Sequence, residues 1–340
     1  MAKGQLRFDW ADEGRPSSRP PTRPSPLPPI APLAGRLRWL ADRGVYLGTS
    51  SWKYPGWIGQ IYDPARYHTR KGLSQRKFDE ECLAEYAGVF PTVGGDFSFY
   101  QFPKPEVWTR LFAQTPPEFR FSLKAPEEVT VERWPDLPRY GRRAGRDNPH
   151  FLDAERVKDG LLRPLSAYRE RLGVVIFEFG TIHRPPFNQP ARFTEALDQF
   201  LAGLATEGLR FAVEIRNREF LQVPDDYLAC LRRHGVAHCL NSWTRMPPLA
   251  EQAALPGIFT APHVVARLLL RPGRSYQQAV EAFSPYSEVR EPYDEGRAAL
   301  RDLIERCLAE GRTLFAYVNN RFEGNAPQTI EAATRDWDPP

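Results

Sequence analysis

One predicted strand carries two opposite charges on the same face and is the clearest candidate for a chemical site. Within residues 210–217, Val213 and Ile215 alternate with Glu214 and Arg216. Because side chains alternate between the two faces of a strand, the apolar pair and the charged pair lie on opposite faces. A carboxylate and a guanidinium on one face can pair with each other or share a ligand. Since burial can raise the pKa of a carboxyl group toward neutrality, we predict a general acid or base at this position, namely Glu214.

Four further charged side chains lie near the ends of other predicted strands, namely Lys124, Glu178, Arg267 and Asp96. With Glu214 and Arg216 they make three cations and three acids. An unpaired buried charge is strongly destabilising, so each of these groups must pair, bind a ligand or contact water. We predict that Lys124 and Glu178 act with Glu214 in catalysis. The alternative is a network of internal ion pairs that only fills the fold.

The predicted substrate-binding residues lie at the same strand ends. Arginine suits bidentate contact with a carboxylate or phosphate, so Arg216 and Arg267 indicate an anionic substrate. Side-chain amides can orient hydroxyl or carbonyl groups, and aromatic rings can line the opening of a site. The predicted substrate-binding set is Arg216, Arg267, Asn319, Asn320, Tyr100, Trp52 and Asp96.

The residue spacing predicts neither a metal site nor a cofactor. The cysteines show no CxxC spacing and the six histidines show no HxH or HExxH spacing. The cysteines are Cys82, Cys230, Cys239 and Cys307. Residues 48–52 end the first predicted strand without a glycine-rich phosphate loop. A metal held by carboxylates and one histidine is the alternative that stays open.

Eight short apolar, β-branched or aromatic segments alternate with segments of helical period between residues 45 and 337. The predicted strands span residues 45–52, 92–100, 120–125, 173–180, 210–217, 237–243, 264–270 and 313–320. This order predicts an α/β fold, a TIM-type (β/α)8 barrel, whose inward charges near the strand C-termini reach the usual active-site mouth. The proline-broken segment 244–263 predicts that one helix is reduced.

The N-terminal segment differs in composition from the rest of the chain. Eight of the 17 residues from Pro16 to Pro32 are proline, with arginines between them. Such a segment has little to bury, so residues 1–33 are predicted to be a disordered Pro/Arg-rich extension. Residues 34–44 are predicted to be a short helix or linker, and residues 45–337 the barrel.

The composition indicates an ordinary globular protein. Of the 340 residues, 41% are hydrophobic and 26% are charged, and the net charge is +4. A membrane span needs about 20 apolar residues, and no such run or secretory signal is seen, so a cytoplasmic protein without membrane association is predicted. The weak positive charge does not by itself indicate nucleic acid.

Several motifs resemble the domain-of-unknown-function 72 family, the YecE-like proteins. The similar segments are residues 48–52 and 54–57, Phe99-Tyr100, residues 116–126 and 212–217, and residues 317–320 with Gly324, Ala326 and Pro327. The resemblance runs in order from Tyr46 to Ala333. It implies a TIM-type barrel but neither a reaction nor a cofactor. The chain departs from the family pattern at Glu178, where the family usually has glutamine.

The predicted function is that of an enzyme acting on a small, polar, anionic substrate by acid–base chemistry at the barrel mouth. A hydrolase, a lyase and an isomerase all fit this description. The first alternative is a nucleic-acid-associated protein that contacts phosphates through the Arg-rich tail and the basic loop 140–146. The second is a non-catalytic barrel that serves as a scaffold. The sequence makes no prediction of oligomeric state.

Overall fold

The fold is a closed barrel of eight parallel strands, seen in a computed structural model that describes residues 24–70, 72–204 and 208–337. The strands are β1 (Val45–Thr49), β2 (His68–Thr69), β3 (Gly72–Leu73), β4 (Thr92–Gly95), β5 (Arg120–Lys124), β6 (Leu172–Phe179), β7 (Phe211–Ile215), β8 (Ala237–Asn241), β9 (His263–Leu268) and β10 (Thr313–Val318). Around the barrel the order is β1-β10-β9-β8-β7-β6-β5-β4, and β2 pairs antiparallel with β3 outside it. The predicted (β/α)8 fold is confirmed.

Helices surround the barrel and pack on the outward faces of its strands. They are α1 (Ala31–Ala41), α2 (Pro64–Tyr67), α3 (Gln75–Val89), α4 (Pro105–Ala113), α5 (Glu127–Thr130), α6 (Ala154–Val157), α7 (Pro190–Leu204), α8 (Glu219–Gln222), α9 (Asp225–Arg233), α10 (Leu249–Ala254), α11 (Tyr276–Phe283), α12 (Asp294–Ala309) and α13 (Ala326–Thr334). Pro105 and Pro190 each occupy the first helical position, where the missing N–H costs no hydrogen bond. Val213 and Ile215 face outward into the large apolar core.

The barrel interior changes from apolar to charged along the strands. Val174, Ile176, Val265 and Phe315 form part of a separate buried apolar cluster. Above them Tyr317 donates a hydrogen bond to the Ser122 hydroxyl across the barrel. The next inward positions toward the C-terminal ends carry the charged side chains, so alternation along the strands places these charges at one end of the barrel.

More connections are irregular than the single reduced helix that the sequence predicts. The segment 244–263 does contain only the six-residue helix α10. However, the connection after β5 is also broken, into α5, a 3-10 segment at Pro138–Arg143, α6 and a π-helical turn at Lys158–Leu162. Prolines 126, 135, 138 and 149 interrupt this connection, and each lacks the N–H that a continuous helix requires.

The folded unit begins before residue 34, where the sequence places its start. A 3-10 turn at Pro28–Ile30 leads into α1, and Ile30 and Leu33 are buried in the core. Arg36 Nε donates a hydrogen bond to the Trp337 carbonyl at 3.0 Å, which ties α1 to the C-terminal segment. The boundary after residue 33 is therefore corrected toward the N-terminus. Residues 1–23 of the predicted disordered extension lie outside the described residues.

The strands also end earlier than the sequence predicts. The second barrel strand ends at Gly95 rather than at Tyr100, and the last ends at Val318 rather than at Asn320. The residues beyond these ends leave the hydrogen-bonded sheet and form loops at the barrel mouth. Among the described residues, no helix is both long and apolar enough to cross a membrane.

Candidate functional site

A cavity of about 470 Å³, here called the mouth cavity, opens at the C-terminal ends of the barrel strands. It is the location at which TIM-barrel enzymes carry their active sites. Seven of the ten residues predicted from sequence line it. They are Asp96, Tyr100, Lys124, Glu178, Arg216, Arg267 and Asn319.

Glu178, at the end of β6, is the centre of a network of ion pairs. Its Oε2 atom lies 3.0 Å from Lys124 Nζ and 2.9 Å from Arg216 Nη2. The same oxygen accepts a hydrogen bond from Arg267 Nη1 at 2.6 Å. Burial alone raises the pKa of Glu178, but Arg216, Lys124 and Arg267 outweigh it and hold this pKa well below its ordinary value. Glu178 is therefore an ionised carboxylate that organises three cations.

Glu214 lies beneath this network and does not line the mouth cavity. Its side chain is 0% exposed, and Arg216 Nε donates a hydrogen bond to its Oε1 at 2.9 Å. Arg267 Nη1 donates to its other carboxylate oxygen. The two guanidiniums cover both oxygens, a position that does not favour the predicted role of Glu214 as a general acid or base. Its position is that of a buried anchor for two arginines.

Asp96 and Lys124 form the side of the network that faces the opening. Lys124 Nζ lies 3.2 Å from Asp96 Oδ1 and 3.9 Å from the centroid of the Phe99 ring. Arg267 Nη2 approaches the same Asp96 oxygen at 3.5 Å. The Asp96 side chain is 32% exposed, whereas that of Glu178 is 7% exposed. Of the three acids, Asp96 is therefore the one that a ligand can reach.

Two of the remaining predicted residues do not reach the mouth cavity. Trp52 is buried, and its ring packs edge-on against Phe97 with centroids 5.9 Å apart. Asn320 accepts a hydrogen bond from the Ala326 N–H at 2.8 Å and so holds the turn before α13. Asn319 does line the cavity, although its Oδ1 already accepts a hydrogen bond from the Arg321 N–H. The prediction for Trp52 and Asn320 is corrected, because both belong to the supporting structure.

Arg321 lines the mouth cavity but is not among the residues predicted from sequence; it follows the last strand by three residues. Its guanidinium carbon lies 4.4 Å from the Tyr276 ring centroid. Tyr54, Tyr286 and, last among them, the Asp96 carboxylate also act on it electrostatically. Its Nε is buried without a hydrogen-bond partner, and it forms no ion pair within the part of the chain that the structure describes. Its position just beyond the end of a predicted strand could have indicated from sequence that it lies at the barrel mouth. Tyr276 and Tyr286 come from the segment between β9 and α12, where no periodicity marks them.

A half-buried tryptophan also lines the mouth cavity. The Arg216 guanidinium carbon lies 3.9 Å from the centroid of the Trp243 ring, and both residues line the mouth cavity. A guanidinium stacked on an aromatic face and held by two carboxylates has little freedom to move. The arginine is therefore positioned before any ligand arrives.

We expect Lys124 to form no Schiff base with carbonyl compounds. Two carboxylates and the face of Phe99 surround its Nζ, an arrangement that suits an ammonium, which has no free electron pair to attack a carbonyl carbon. Borohydride added with a panel of aldehydes and keto acids should leave the intact mass of the protein unchanged. An adduct that requires a particular carbonyl compound and maps to Lys124 would contradict this assignment.

Comparison of the sequence with known families is consistent with the barrel fold. The profile of the family described as "Protein of unknown function DUF72" matches residues 46–339. UPF0759 protein YunF of Bacillus subtilis (strain 168) is 23% identical over 295 residues, which are 83% of this chain and 90% of the relative. UPF0759 protein YecE of Escherichia coli (strain K12) is 33% identical over 86 residues, so this chain spans only 25% of that relative's length.

Two crystal structures of DUF72 family proteins have the same fold. The protein from Enterococcus faecalis V583 superposes with a TM-score of 0.57 at 16% identity, covering 86% of this chain and 95% of the other. The protein from Thermotoga maritima MSB8 gives a TM-score of 0.55 at 20% identity, covering 86% and 98%. These similarities establish the architecture.

Proposed function

The chain belongs to the DUF72 family, and we propose that it is an enzyme that binds a small anionic molecule in the mouth cavity and acts on it by proton transfer. Hydrolysis, elimination and isomerisation are the reaction classes that a carboxylate base and neighbouring cations serve. The lining combines charged groups with aromatic rings, which suits a polar substrate that also presents a flat or apolar part.

The observation that carries the proposal is the unpaired charge of Arg321. The three acids of the network are each engaged by at least two of its three cations, so the network neutralises itself. Arg321 adds a positive charge to the same cavity, and within the described residues no carboxylate lies within ion-pair distance of it. An anionic group of a ligand would supply the missing partner. In this proposal Arg321 replaces Lys124, Arg216 and Arg267 as the first contact for the anion.

We assign proton transfer to Asp96 because its carboxylate is exposed to the mouth cavity. Glu214 is covered, and Glu178 is held ionised by three cations. Asp96 contacts Lys124 and Arg267 on one side and is 32% exposed on the other. We assign it the role of general base, with Lys124 and Arg267 stabilising negative charge that develops on the substrate.

Inorganic phosphate or sulfate is expected to stabilise the protein against heat. A ligand that binds only the native state adds about 2.7 kcal/mol at about 100 times its Kd. Because a charge-assisted hydrogen bond contributes about 1.5–3 kcal/mol, Arg321→Gln should weaken anion binding by about tenfold or more. The measurement is a thermal-shift titration checked by calorimetry. Arg192→Gln, at an exposed ion pair on α7, is the matched control and should bind normally.

Two outcomes would contradict anion binding in the mouth cavity. One is that chloride at equal ionic strength stabilises the protein as much as phosphate, since the effect would then be screening. The other is that Arg321→Gln and Arg192→Gln respond alike.

The enzymatic part of the proposal is tested with phosphorylated and carboxylated small molecules that the thermal-shift assay identifies as ligands. Asp96→Asn is expected to bind such a ligand but to lose turnover by about 10²–10⁴-fold, the usual contribution of a general base. Arg192→Gln, at the exposed ion pair on α7 away from the mouth cavity, is the control that should keep turnover within a few fold. Unchanged turnover in Asp96→Asn would remove the base from the proposal.

Association with nucleic acid remains the second candidate because of the basic loop 140–146. Arg142, Arg143 and Arg146 line a separate cavity of about 380 Å³, in which the Arg143 guanidinium carbon lies 4.3 Å from the Trp134 ring. Guanidiniums beside an aromatic ring can contact phosphates and stack on bases. Binding of an oligonucleotide that falls steeply with salt and is lost when Arg142 and Arg146 become glutamine would favour this candidate.

A further inference from the structure

Away from the barrel mouth, two surface helices bring together a thiol, an imidazole and a carboxylate. Cys230 is on α9 and His234 follows that helix directly, four residues later, so both lie on one helical face. Asp198 is on α7, which packs beside α9. One donor atom from each of the three residues lies within 4.8 Å of the other two.

We propose that Asp198, Cys230 and His234 form a binding site for a divalent transition metal of the zinc class. Sulfur, imidazole nitrogen and carboxylate oxygen together are the donor set of zinc sites, and a thiolate disfavours magnesium and calcium. Three protein ligands leave the fourth tetrahedral position to water. The proposal is independent of the function proposed for the mouth cavity.

The present distances are close to those that tetrahedral coordination requires. Zinc bonds of about 2.0–2.3 Å place neighbouring donor atoms about 3.3–3.8 Å apart. Cys230 Sγ lies 3.7 Å from Asp198 Oδ1, and His234 Nε2 lies 2.7 Å from the same oxygen. The sulfur–oxygen distance already fits, and the nitrogen and oxygen must separate by roughly half an ångström to a full ångström.

The surroundings of the three residues allow a metal ion to enter. Cys230 is fully buried, but the side chains of His234 and Asp198 are 18% and 36% exposed, so one side of the cluster faces solvent. Arg233 Nε approaches Asp198 Oδ1 at 3.5 Å and opposes a cation there. Its side chain is 62% exposed and can turn into water, so this opposition is weak.

Two polar groups of Thr194 on α7 lie near the cluster and could form hydrogen bonds with the ligands of a bound metal. Cys230 Sγ is 4.0 Å from the Thr194 carbonyl, a contact at the outer limit for a hydrogen bond. The Thr194 hydroxyl is buried without a partner, one helical turn before Asp198. A metal-bound thiolate would accept a hydrogen bond from that hydroxyl, and a metal-bound water would donate one to its oxygen.

Metal binding forms three protein–metal bonds and releases one proton, that of the thiol. The incoming dication forms a bond to sulfur while the thiol proton passes to solvent, and neutral His234 and ionised Asp198 donate electron pairs without further change. No oxidation occurs. The bound ion links α7 to α9 and stabilises the native state in proportion to RT ln(1 + [M]/Kd).

The test uses the full chain, freed of metal with a chelator, and Co²⁺ as a spectroscopic probe. One equivalent of Co²⁺ should produce a thiolate-to-cobalt charge-transfer band in the near ultraviolet and the visible bands of tetrahedral cobalt. Zn²⁺ should abolish both bands and raise the melting temperature. Cys230→Ser should lose the charge-transfer band, and His234→Gln and Asp198→Asn should weaken binding by about tenfold to a hundredfold or more.

Matched controls separate this site from other thiols and other histidine–acid pairs. Cys307→Ser removes a different buried thiol, and His150→Gln removes an imidazole that contacts Asp153 at 3.3 Å. Both should keep the cobalt spectrum. His234 is partly exposed, so His234→Gln should fold even if Cys230→Ser does not. The proposal is overturned if Co²⁺ gives no thiolate band, if the band survives in Cys230→Ser, or if His234→Gln and Asp198→Asn bind as tightly as the native chain.

Discussion

Arg267→Met is expected to lower the free energy of unfolding by about 3–5 kcal/mol, because it removes one partner from a buried ion-pair network. Arg267 is 3% exposed and donates to both Glu178 and Glu214. Its loss leaves Glu214, which is 0% exposed, with Arg216 as its sole remaining cation in the network. The measurement is equilibrium unfolding in urea followed by fluorescence and circular dichroism.

A double-variant cycle shows whether the effect comes from the charge pair. Arg267→Met combined with Glu214→Gln should cost less than the sum of the two single variants, since the second change removes the charge that the first left unpaired. Arg192→Met, at an exposed pair with Glu195, should change stability by no more than about 0.5 kcal/mol. Strict additivity at Glu214 and Arg267 would show that the two side chains do not interact.

The protein is expected to lose stability when the pH falls from 6.5 to about 5, because two buried histidines resist protonation. Burial lowers the pKa of His238 from 6.5 to about 4. For His263, burial likewise lowers the pKa to about 4, although a hydrogen bond to the Phe211 carbonyl opposes it. Each imidazole stays neutral in the native state while the unfolded chain takes up a proton. The stability contributed by each histidine is therefore complete above pH 6.5 and is lost progressively down to about pH 4.

The size of this effect follows from linkage. One pKa unit corresponds to about 1.4 kcal/mol, so each histidine should cost about 2 kcal/mol between pH 6.5 and 5. Urea unfolding at several pH values measures it. His238→Gln should remove about half of the pH dependence, because burial lowers the pKa of His238 and that of His263 to the same value of about 4. The exposed His68 provides the control, and His68→Gln should leave the slope unchanged. A slope that is the same in all three proteins would contradict this origin.

The barrel architecture could be predicted from the sequence because local periodicity determines it. Alternating apolar segments located all eight barrel strands, and prolines at helix starts located α4 and α7. The same alternation put Glu214 and Arg216 inside the barrel, where both are found. Period-two alternation fixes the face on which a side chain lies, and in a closed barrel one face is the interior.

The strand ends could be predicted less well from the sequence, since each end depends on where the neighbouring strand stops pairing. Residues 96–100 continue the pattern of β4, yet they leave the barrel and form the loop that carries Asp96 and Tyr100. Likewise Ile30 and Leu33 belong to a proline-rich segment, and burial against other parts of the fold decides that this segment is ordered. Composition alone does not report such distant contacts.

The sequence by itself determined the barrel, the inward direction of six charged side chains and their placement toward one end. Only the tertiary structure decided how deep each charge lies and which others it meets. Glu214 is covered while Asp96 is reachable, and the Arg321 guanidinium lies over the Tyr276 ring from the segment after β9. The donor cluster of Cys230 and His234 is complete only when α7 brings Asp198 beside them. The spacing of residues along a strand determines the side of the strand on which a side chain lies. How deeply that side chain is buried, and which side chains of other elements it contacts, depends on packing between segments that are far apart in sequence.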